Sequence, residues 1–418
     1  MIRLKTYRFK LCPTKQQEHA FRCWLGTTRY VYNLCLQYKK TLYSDCGISI
    51  SKNNIQKELA AIRKETPWMN EVHSQTMQAT TDRLFRAYDN FFRRVKNGEE
   101  EPGFPRFARK GQWDSFLFKQ GVKLLENTSK VRLPIIGLVR FKKSQEVMGA
   151  VKTASIKKEP SGWYICLSCE VDVAPLPEAN VIVGIDLGLK HAVVTSDGEF
   201  FDGPAALKRF ADRIAKAQRA LSRKEKGSAN RKKTIAELGR LYERVREIRK
   251  DFLHKLSSKL IDENQVIIAE DLQLKNLIRK NKPKKDESGK FMKNGQAQKR
   301  GLNKSFSDAG LGALLEMLEY KALWYGRTFI RVPARHTSSD CHVCQWRNAD
   351  LTLADREWIC GGCGVLHDRD GNAAQNILQR GMDKLKGGGT RPLYLETQKE
   401  TSEPVGAGAE GPNHAGSC

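Results

Sequence analysis

The segment Val181–Lys190 constrains the fold of this chain more than any other, because it places a carboxylate inside an apolar run. The residues before Asp186 are mostly β-branched or aliphatic, a pattern typical of a strand that is buried on both faces of a sheet. Burying an ionised carboxylate costs free energy unless something compensates its charge, and a bound metal ion is the usual compensation. Gly184 and Gly188 flank the acid, and glycines there allow a backbone or a ligand to approach closely.

A hairpin follows this strand, and a second acidic strand comes later. His191–Thr195 predicts a strand, and Asp197-Gly198 is a typical hairpin turn before a third strand. A hairpin with one acid in its first strand is how an RNase H-like nuclease sheet begins. The segment Gln265–Asp271 predicts another buried strand that ends in Glu270 and Asp271. The two-residue period of a strand puts these two acids on opposite faces, so only one can face a given site, and the pattern leaves both open.

A third acid comes at a predicted helix start between His367 and Leu378. Helical spacing aligns Asp370 with the apolar positions that would pack on the sheet, whereas Asp368 aligns with polar positions and is expected to be a cap or an ion-pair partner. Acids on two buried strands and one helix start together favour a site for Mg²⁺ or Mn²⁺, which prefer hard oxygen ligands. Two such ions, with Asp186 bridging them, would activate a water and stabilise the leaving oxygen of a phosphodiester.

Four cysteines form the strongest local motif of the chain. Cys341-x2-Cys344 and Cys360-x2-Cys363 have the spacing of a tetrahedral zinc site, in which four thiolates leave no open position and the ion is structural. Iron in place of zinc is the less favoured alternative. Cys166-x2-Cys169 matches the same pattern but lies in a predicted strand, where the offset of three puts the sulfurs on opposite faces. Eleven cysteines, an odd number, favour a reducing compartment over a disulfide framework.

The charge of the chain indicates its class of partner. Lys and Arg number 73 against 47 Asp and Glu, a net charge of +26, which is too large for a typical small-molecule enzyme and favours a polyanion, most simply nucleic acid. The sequence contains neither an apolar run long enough to span a bilayer nor an N-terminal signal peptide. The expectation is a soluble intracellular protein that binds a polyanion and no membrane.

The remaining patterns divide the chain into regions. Residues 1–12 and 105–178 contain short strands that favour a small β-barrel, interrupted by helices over 13–104. Residues 179–336 and 365–383 form the nuclease domain, which includes a very basic helical hairpin over 208–260 and a loop over 279–304 that carries ten basic and two acidic residues. Another helix is expected to begin at Ser307-Asp308. Residues 337–364 hold the cysteine motif, and a disordered tail is expected over 384–418.

Several of these motifs resemble one known family. Gly184-Ile-Asp186-Leu-Gly-Leu-Lys190, Thr337-Ser-Ser-x-Cys341-x-x-Cys344 and Asp368-Arg-Asp370-x-Asn372-Ala-Ala-x-Asn376 look like TnpB, the transposon-encoded RNA-guided DNA nuclease related to type V CRISPR effectors. The segments Gly103-Phe-Pro-Arg-Phe107 and Tyr30-Val-Tyr-Asn33 extend the match, which covers about residues 1–380. The resemblance implies a multidomain α+β protein with a RuvC-type RNase H fold, a zinc-ribbon insertion, and a wedge β-barrel interrupted by a helical recognition lobe.

The resemblance also implies the site residues and the activity. The catalytic, magnesium-binding acids fall on Asp186, Glu270 and Asp370, with Glu270 favoured over Asp271. The zinc ligands fall on the four cysteines of the motif, Cys341, Cys344, Cys360 and Cys363. The implied function is Mg²⁺-dependent cleavage of double-stranded target DNA beside a short flanking motif, directed by a guide RNA from the transposon end.

The expected protein is a monomer within a ribonucleoprotein in the prokaryotic cytoplasm, associated with the nucleoid. Two alternatives remain: a non-cleaving RNA-guided repressor, although such a protein would be expected to lose its acids, and a DNA transposase, for which no strand-transfer nucleophile is visible. The long basic loop is a departure from the family pattern and has no assigned role.

Overall fold

The computed structural model describes residues 1–352 and 354–387, and the chain divides into two compact units. The first unit comprises Met1–Val173 together with Lys224–Arg240, and the second comprises Ala174–Arg223 and the chain from Leu241 onward. Over the described ranges, every helix is too short or too polar to cross a membrane.

A seven-stranded antiparallel sheet forms the base of the first unit, with its strands in the order β2-β6-β7-β1-β5-β4-β3. The strands are β1 (Ile2–Cys12), β2 (Ser115–Phe118), β3 (Lys123–Leu125), β4 (Lys130–Leu133), β5 (Gly137–Lys142), β6 (Ala150–Glu159) and β7 (Gly162–Asp172). The N-terminal strand pairs with β7 over Ile2–Leu11 and with β5 at its end. Alternate residues of β1, among them Tyr7, Phe9 and Leu11, are buried in the core. That this sheet is a wedge barrel stays a prediction.

Three helices lie between β1 and β2 in the chain: α1 (Lys15–Cys46), α2 (Lys52–Glu65) and α3 (Ser74–Lys96). Thr14 and Gln17 form a capping box at the start of α1, each side chain accepting a hydrogen bond from the backbone N–H of the other residue. Gly47 ends the helix in the left-handed conformation, at φ 69°. The helices predicted over 13–104 are therefore present as an insertion between two strands of one sheet.

A five-stranded mixed sheet forms the centre of the second unit, in the order β10-β9-β8-β11-β14. Its strands are β8 (Ile182–Asp186), β9 (Val193–Thr195), β10 (Phe200–Phe201), β11 (Val266–Glu270) and β14 (Thr328–Val332). Strands β8, β11 and β14 are parallel, whereas β9 and β10 continue the sheet as antiparallel neighbours. The strand, the hairpin and the second acidic strand predicted from the sequence are confirmed.

Helices cover both faces of this sheet. They are α4 (Ala206–Arg209), α5 (Ala211–Ser222), α6 (Ala229–Glu263), α7 (Leu274–Leu277), α8 (Gln296–Ala309), α9 (Leu311–Tyr325) and α10 (Arg369–Lys386). Ile267 and Ala269 of β11 pack with the leucines of α6 and α9 in one cluster, while Val266 and Ile268 pack with Ile377 of α10 in another. Burial on both faces explains why β11 has no polar residue before Glu270.

Two short hairpins complete the second unit, and one of them corrects a prediction. The strands β12 (Lys284–Lys285) and β13 (Phe291–Met292) pair within the segment predicted to be a loop over 279–304, and α8 begins inside it at Gln296. The loop prediction is therefore wrong for 296–304. Side-chain amides and ammonium groups of α8 bond to α7 carbonyls, including Asn303 to Ile278 O at 2.7 Å, so tertiary contacts stabilise a helix with little apolar content.

Three further boundaries differ from prediction. One helix was expected to start at Ser307-Asp308. Instead, α8 continues to Ala309 and α9 begins at Leu311, with Gly310 between them, and Asp308 accepts the Leu207 N–H. The second short hairpin, formed by β15 (Glu357–Ile359) and β16 (Leu366–Asp368), extends past residue 364, where the region of the cysteine motif was predicted to end. The tail predicted from 384 is helical to Lys386, and 388–418 lies outside the described residues.

Candidate active site and metal centre

Asp186 and Glu270 end two neighbouring parallel strands. Because Ile185 pairs with Ala269, the next residues of β8 and β11 come side by side at the carboxyl edge of the sheet. Glu270 has the same face as Val266 and Ile268, which pack against α10, while Asp271 is exposed and 4.0 Å from Arg331. The strand period left open which of the two acids faces the site. In the structure it is Glu270 that lies beside Asp186.

Two glycines bring α10 against this edge of the sheet. A Cβ atom on Gly184 would lie 2.4 Å from the Ala374 carbonyl oxygen of α10, and one on Gly381 would lie 2.3 Å from the Ile268 Cδ1. Neither position has room for a side chain, so only glycine lets the helix backbone approach β8 and β11 this closely. The approach brings the first turn of α10, which contains Asp370, to the strand ends.

The three acids share one electrostatic environment. Burial, followed by the charges of Glu270 and Asp370, raises the pKa of Asp186 to about 8, although backbone and Arg369 contributions oppose the shift. When two neighbouring carboxylates raise the pKa of a third carboxyl, ionising all three costs free energy unless a cation binds among them. Asp186 retains some exposure to solvent, so a small hydrated ion can reach it. Three oxygen donors at one sheet edge fit Mg²⁺ or Mn²⁺.

Glu270 is 6% exposed and has two polar neighbours, Thr337 and Arg380, to which the sequence motifs assigned no role. Burial raises its pKa, while a hydrogen bond from the Thr337 hydroxyl and the charge of Arg380 lower it. The Thr337 hydroxyl donates to Glu270 Oε1. One carboxylate oxygen is therefore held by the protein, and the other is free of this bond and available to a ligand.

Asp370 and Asp368 have the different roles that helical spacing predicts. Asp368 is the N-cap of α10, and its Oδ1 accepts the Gly371 N–H at 2.8 Å. Asp370 lies in the first turn on the side of the sheet, where Arg356 NH1 is 3.8 Å from its Oδ2. An arginine at this distance partly balances the negative charge of the cluster.

Two asparagines of α10 fix the loop between β14 and the first cysteine pair. The Asn372 and Asn376 Nδ2 atoms both donate to the Asp340 carbonyl, at 2.8 and 2.6 Å, and Asn376 also donates to the Thr337 carbonyl at 2.9 Å. Asn372 Oδ1 accepts the His342 N–H at 3.0 Å. Both side chains are almost fully buried. Buried amides with satisfied hydrogen bonds hold Thr337 in place relative to the helix that contains Asp370.

The two cysteine pairs lie on matching turns. The residues after each pair, Gln345 and Gly364, have positive φ, and each donates its N–H to the carbonyl of the first cysteine of its pair at 2.9 Å. Cys341 N and Cys360 N donate onward to carbonyls five residues later, at 2.8 and 2.9 Å. The same local turn thus directs both thiols of each pair to one side.

The four sulfur atoms converge, with all ligand atoms within 4.8 Å of one another. The Sγ atoms of Cys341 and Cys363 are 3.7 Å apart, and those of Cys344 and Cys360 are 3.5 Å apart. Zinc–sulfur bonds of about 2.3 Å in a tetrahedron require sulfur–sulfur distances of about 3.8 Å, so the cluster fits zinc. The other spaced pair does not contribute, because Cys169 is buried in the first unit while Cys166 is on the opposite, partly exposed face of β7.

His367 is in contact with this cluster, although no sequence motif assigns it a role. Its Nε2 lies 3.1 Å from the Cys341 Sγ, and its ring packs on Trp358 and His342. An imidazole N–H beside a thiolate stabilises the anion, as outer-shell donors do at metal sites. His367 precedes the cap of α10 by one residue, which is the only hint of its position that the sequence contains.

Three family models match the chain. Residues 164–281 match the IS605 OrfB model, described as "Probable transposase". Residues 312–377, which span α9, β14, the cysteine cluster and the start of α10, match the TNB domain of the Cas12f1-like type. Residues 1–47 match the helix-turn-helix domain of IS605 OrfB proteins.

Curated relatives align over nearly the whole chain. The chain is 32% identical to the "Putative RNA-guided DNA endonuclease InsQ" of Escherichia coli K12 over 95% of its length and 98% of that protein. A "Putative RNA-guided DNA endonuclease" of Streptomyces pristinaespiralis is also 32% identical, over 95% of this chain and 93% of that protein.

One solved structure is similar in fold. The cryo-EM structure of a Cas12f1–sgRNA–target DNA complex aligns with a TM-score of 0.52 at 13% identity, covering 90% of this chain and 98% of that one. The shared fold confirms the predicted multidomain α+β class, with a RuvC-like nuclease domain and a zinc-ribbon insertion.

Proposed function

The chain belongs to the TnpB family of transposon-encoded proteins, and from this premise we propose that it is an RNA-guided endonuclease that hydrolyses phosphodiester bonds of target DNA. The observation that carries the proposal is the electrostatic coupling of Asp186 to Glu270 and Asp370: burial, followed by the charges of these two acids, raises the pKa of Asp186 to about 8. Such a cluster is unfavourable by itself and becomes favourable when it binds divalent cations.

Mg²⁺ is the ion that fits this donor set best. Asp186, Glu270 and Asp370 would hold the ions through their carboxylate oxygens. Bound there, the ions would supply the positive charge that generates a hydroxide and stabilises the leaving oxygen of a phosphodiester. Thr337 would keep the Glu270 carboxylate ionised and correctly rotated, because its hydroxyl occupies one oxygen and lowers the pKa of the acid.

We assign zinc a structural role at Cys341, Cys344, Cys360 and Cys363. Four thiolates complete the coordination of the ion, so no position remains for a substrate or a water. The loop that leads into Cys341 also contains Thr337 and is bonded to α10 through Asn372 and Asn376. Zinc binding would therefore stabilise the segment that positions Glu270 relative to Asp370.

The charge of the protein supports its proposed partners. A net charge of +26 suits a chain that holds an RNA and a DNA strand together. In this proposal the guide is an RNA from the transposon end, base pairing selects the target, and the protein reads backbone shape and a short flanking motif. The complex would contain one copy of the chain and act on DNA in the prokaryotic cytoplasm.

Two linked measurements test this function. RNA that co-purifies with the full-length protein is sequenced, and the complex is then given plasmids that contain or lack the sequence matching its guide. We expect one discrete RNA species and cleavage of the matching plasmid alone. Cleavage that is indifferent to the guide sequence would make the protein an unguided nuclease, while matched binding without cleavage at any Mg²⁺ concentration would make it a repressor.

A further inference from the structure

Three phenylalanines of the first unit form an exposed aromatic platform, which we define as Phe92, Phe104 and Phe107. Their exposed fractions are 58%, 43% and 45%. Large apolar side chains that cluster at a surface mark an interaction site more often than single exposed ones do. The hydrophobic core cluster of the unit includes none of these three rings.

Side-chain hydrogen bonds hold the segment that contains Phe104 and Phe107 in place. Phe104 and Phe107 belong to a segment without regular secondary structure between α3 and β2. Arg94 of α3 donates to the Pro102 carbonyl and, at 3.0 Å, to the Gly103 carbonyl. Asn33 of α1 bonds both backbone groups of Ala108, at 2.7 and 3.1 Å. Side-chain bonds at both ends thus fix an irregular segment that presents two phenyl rings to solvent.

Aromatic side chains of α3 contact two of the platform rings, Phe92 and Phe104. Phe104 makes edge contacts with Tyr88 and Phe91 of α3, at centroid distances of 5.4 and 5.2 Å. Phe91 in turn contacts Phe92 at 5.2 Å. Edge-to-face contacts of this kind fix ring orientation. Phe92 and Phe104 are therefore oriented before any partner binds, which lowers the entropic cost of stacking on them.

Unpaired cations surround the platform. The Lys40 Nζ lies 6.0 Å from the Phe104 centroid and 5.5 Å from that of Phe107. Arg93 and Arg106 are exposed and adjacent in sequence to Phe92 and Phe107, and the ion pairs found over 1–352 and 354–387 include none at these three cations. The acidic run Glu99–Glu101 precedes Phe104 in the chain. Rings flanked by free cations suit a partner that has both flat apolar groups and negative charge.

We propose that this platform stacks with unpaired bases of the bound RNA while Lys40 contacts the adjoining phosphate. Aromatic side chains and neighbouring cations are the usual means of holding unstacked bases, whereas duplex DNA keeps its bases stacked and inaccessible. The choice of RNA rests on the proposed function, because an RNA guide supplies unpaired segments. A protein partner would use the rings but would leave the cations without counter-charges.

The test compares leucine and tyrosine at the same two positions. Leucine keeps the apolar surface of Phe104 and Phe107 but removes stacking, and tyrosine keeps both. Binding of a short unstructured RNA, of the same RNA with abasic residues, and of the matching single-stranded DNA is measured by fluorescence anisotropy on the full-length protein. Phe200→Leu, at an exposed phenylalanine of the second unit, is the control for surface substitution.

We expect Phe104→Leu/Phe107→Leu to weaken RNA binding about tenfold, since stacking on one aromatic contributes about 1–3 kcal/mol per base. The tyrosine variant and Phe200→Leu should bind like the parent, and abasic RNA should not distinguish leucine from phenylalanine. The loss should be equal at low and high salt, whereas Lys40→Ala should reduce the salt dependence by about one phosphate contact.

Three outcomes would overturn the proposal. RNA binding unchanged by the leucine variant excludes stacking at the platform, an equal loss with abasic RNA assigns the effect to structure or charge, and a loss on DNA alone identifies a DNA site. Thermal melting of each variant shows whether the fold is intact. Guide-directed plasmid cleavage is followed in parallel, so that failure of the platform and failure of the proposed endonuclease function are told apart.

Discussion

The second unit contains two clusters of metal-ligand type that differ in almost every physical respect. The four cysteines lie within 23 residues, on two matching turns, and their sulfurs converge through local backbone geometry. The three acids are separated by 84 and 100 residues, and two strands and a helix of the nuclease fold bring them together. The first cluster is soft and has no open position, whereas the second is hard, partly open to solvent and electrostatically unfavourable without a cation.

The two clusters contribute differently to stability and to reactivity. A closed thiolate site contributes its metal-binding free energy to folding, so losing a ligand should lower stability. An open carboxylate cluster destabilises the metal-free protein, so losing an acid should lower activity while leaving or raising stability.

The largest effect is expected for Asp370→Asn, with Asp368→Asn as its matched control. Both substitutions replace an acid by its amide within one turn of α10. Asp370→Asn should reduce guided plasmid cleavage at least about a hundredfold, since one oxygen anion of the cation site is lost. Asp368→Asn should cleave like the parent, because Asn is an equally good N-cap. Equal losses in both variants would show that the acids act only through the helix terminus.

A stability effect of several kcal/mol is expected when a cysteine of the cluster is changed. Cys360→Ser should remove the single zinc ion per chain detected by metal analysis and lower the melting temperature. Cys46→Ser, at an exposed free cysteine at the end of α1, should do neither. Metal-free Cys360→Ser that melts with the parent would refute the structural role of zinc.

An intermediate effect is expected at Thr337, which links the two clusters. Thr337→Val keeps the shape of the side chain but removes the hydroxyl that lowers the pKa of Glu270. The pKa should rise, so the acid limb of the cleavage profile should move to higher pH, and the rate at neutral pH should fall about tenfold. Thr337→Ser should restore the parental profile. A rate loss in Thr337→Val without any movement of that limb would contradict a role in positioning and ionising Glu270.

The smallest effect is expected in the metal-free protein as a function of pH. The pKa of Asp186 is about 8 in the folded state against an ordinary value of 3.8, so folding favours the protonated form. The contribution of the protonated Asp186 carboxyl to the free energy of unfolding is complete below about pH 4 and is lost as the pH rises through 8. Asp186→Asn mimics the protonated form and should be more stable than the parent by about 1 kcal/mol or more at pH 8, but not at pH 4.

Chemical denaturation in a chelator at these two pH values measures the difference. Added Mg²⁺ should stabilise the parent at pH 8 and leave Asp186→Asn unchanged. A parent that is as stable as the variant at pH 8 without metal would show that the acids do not repel one another.

Much of the nuclease sheet was predictable, because buried strands such as β8 and β11 leave a continuous apolar pattern in the sequence. The cysteine cluster was predictable for a different reason: its spacing is local. The choice of Glu270 over Asp271 came from the family resemblance and not from the strand pattern, since strand period distinguishes the two faces but not which helix covers each face. Only the packing of Ile268 against α10 decides it from the structure.

Tertiary contacts account for what the sequence patterns did not predict. Thr337 and His367 have no distinctive spacing, and their contacts with Glu270 and Cys341 depend on the fold of the loop between them. The helix α8 was missed for the same reason, because Asn303 and its neighbours stabilise it through bonds to α7 rather than through an apolar stripe.

Titration of Mg²⁺ against guided plasmid cleavage, with the parent and Asp186→Asn in parallel, tests the central claim most directly. The parent complex should cleave only the matching plasmid, and its rate should rise with Mg²⁺ to a plateau. The Asp186→Asn complex should retain its RNA and bind the same plasmid without cleaving it at any Mg²⁺ concentration. Cleavage by Asp186→Asn at the parental rate would contradict the assignment of the three acids as the active site.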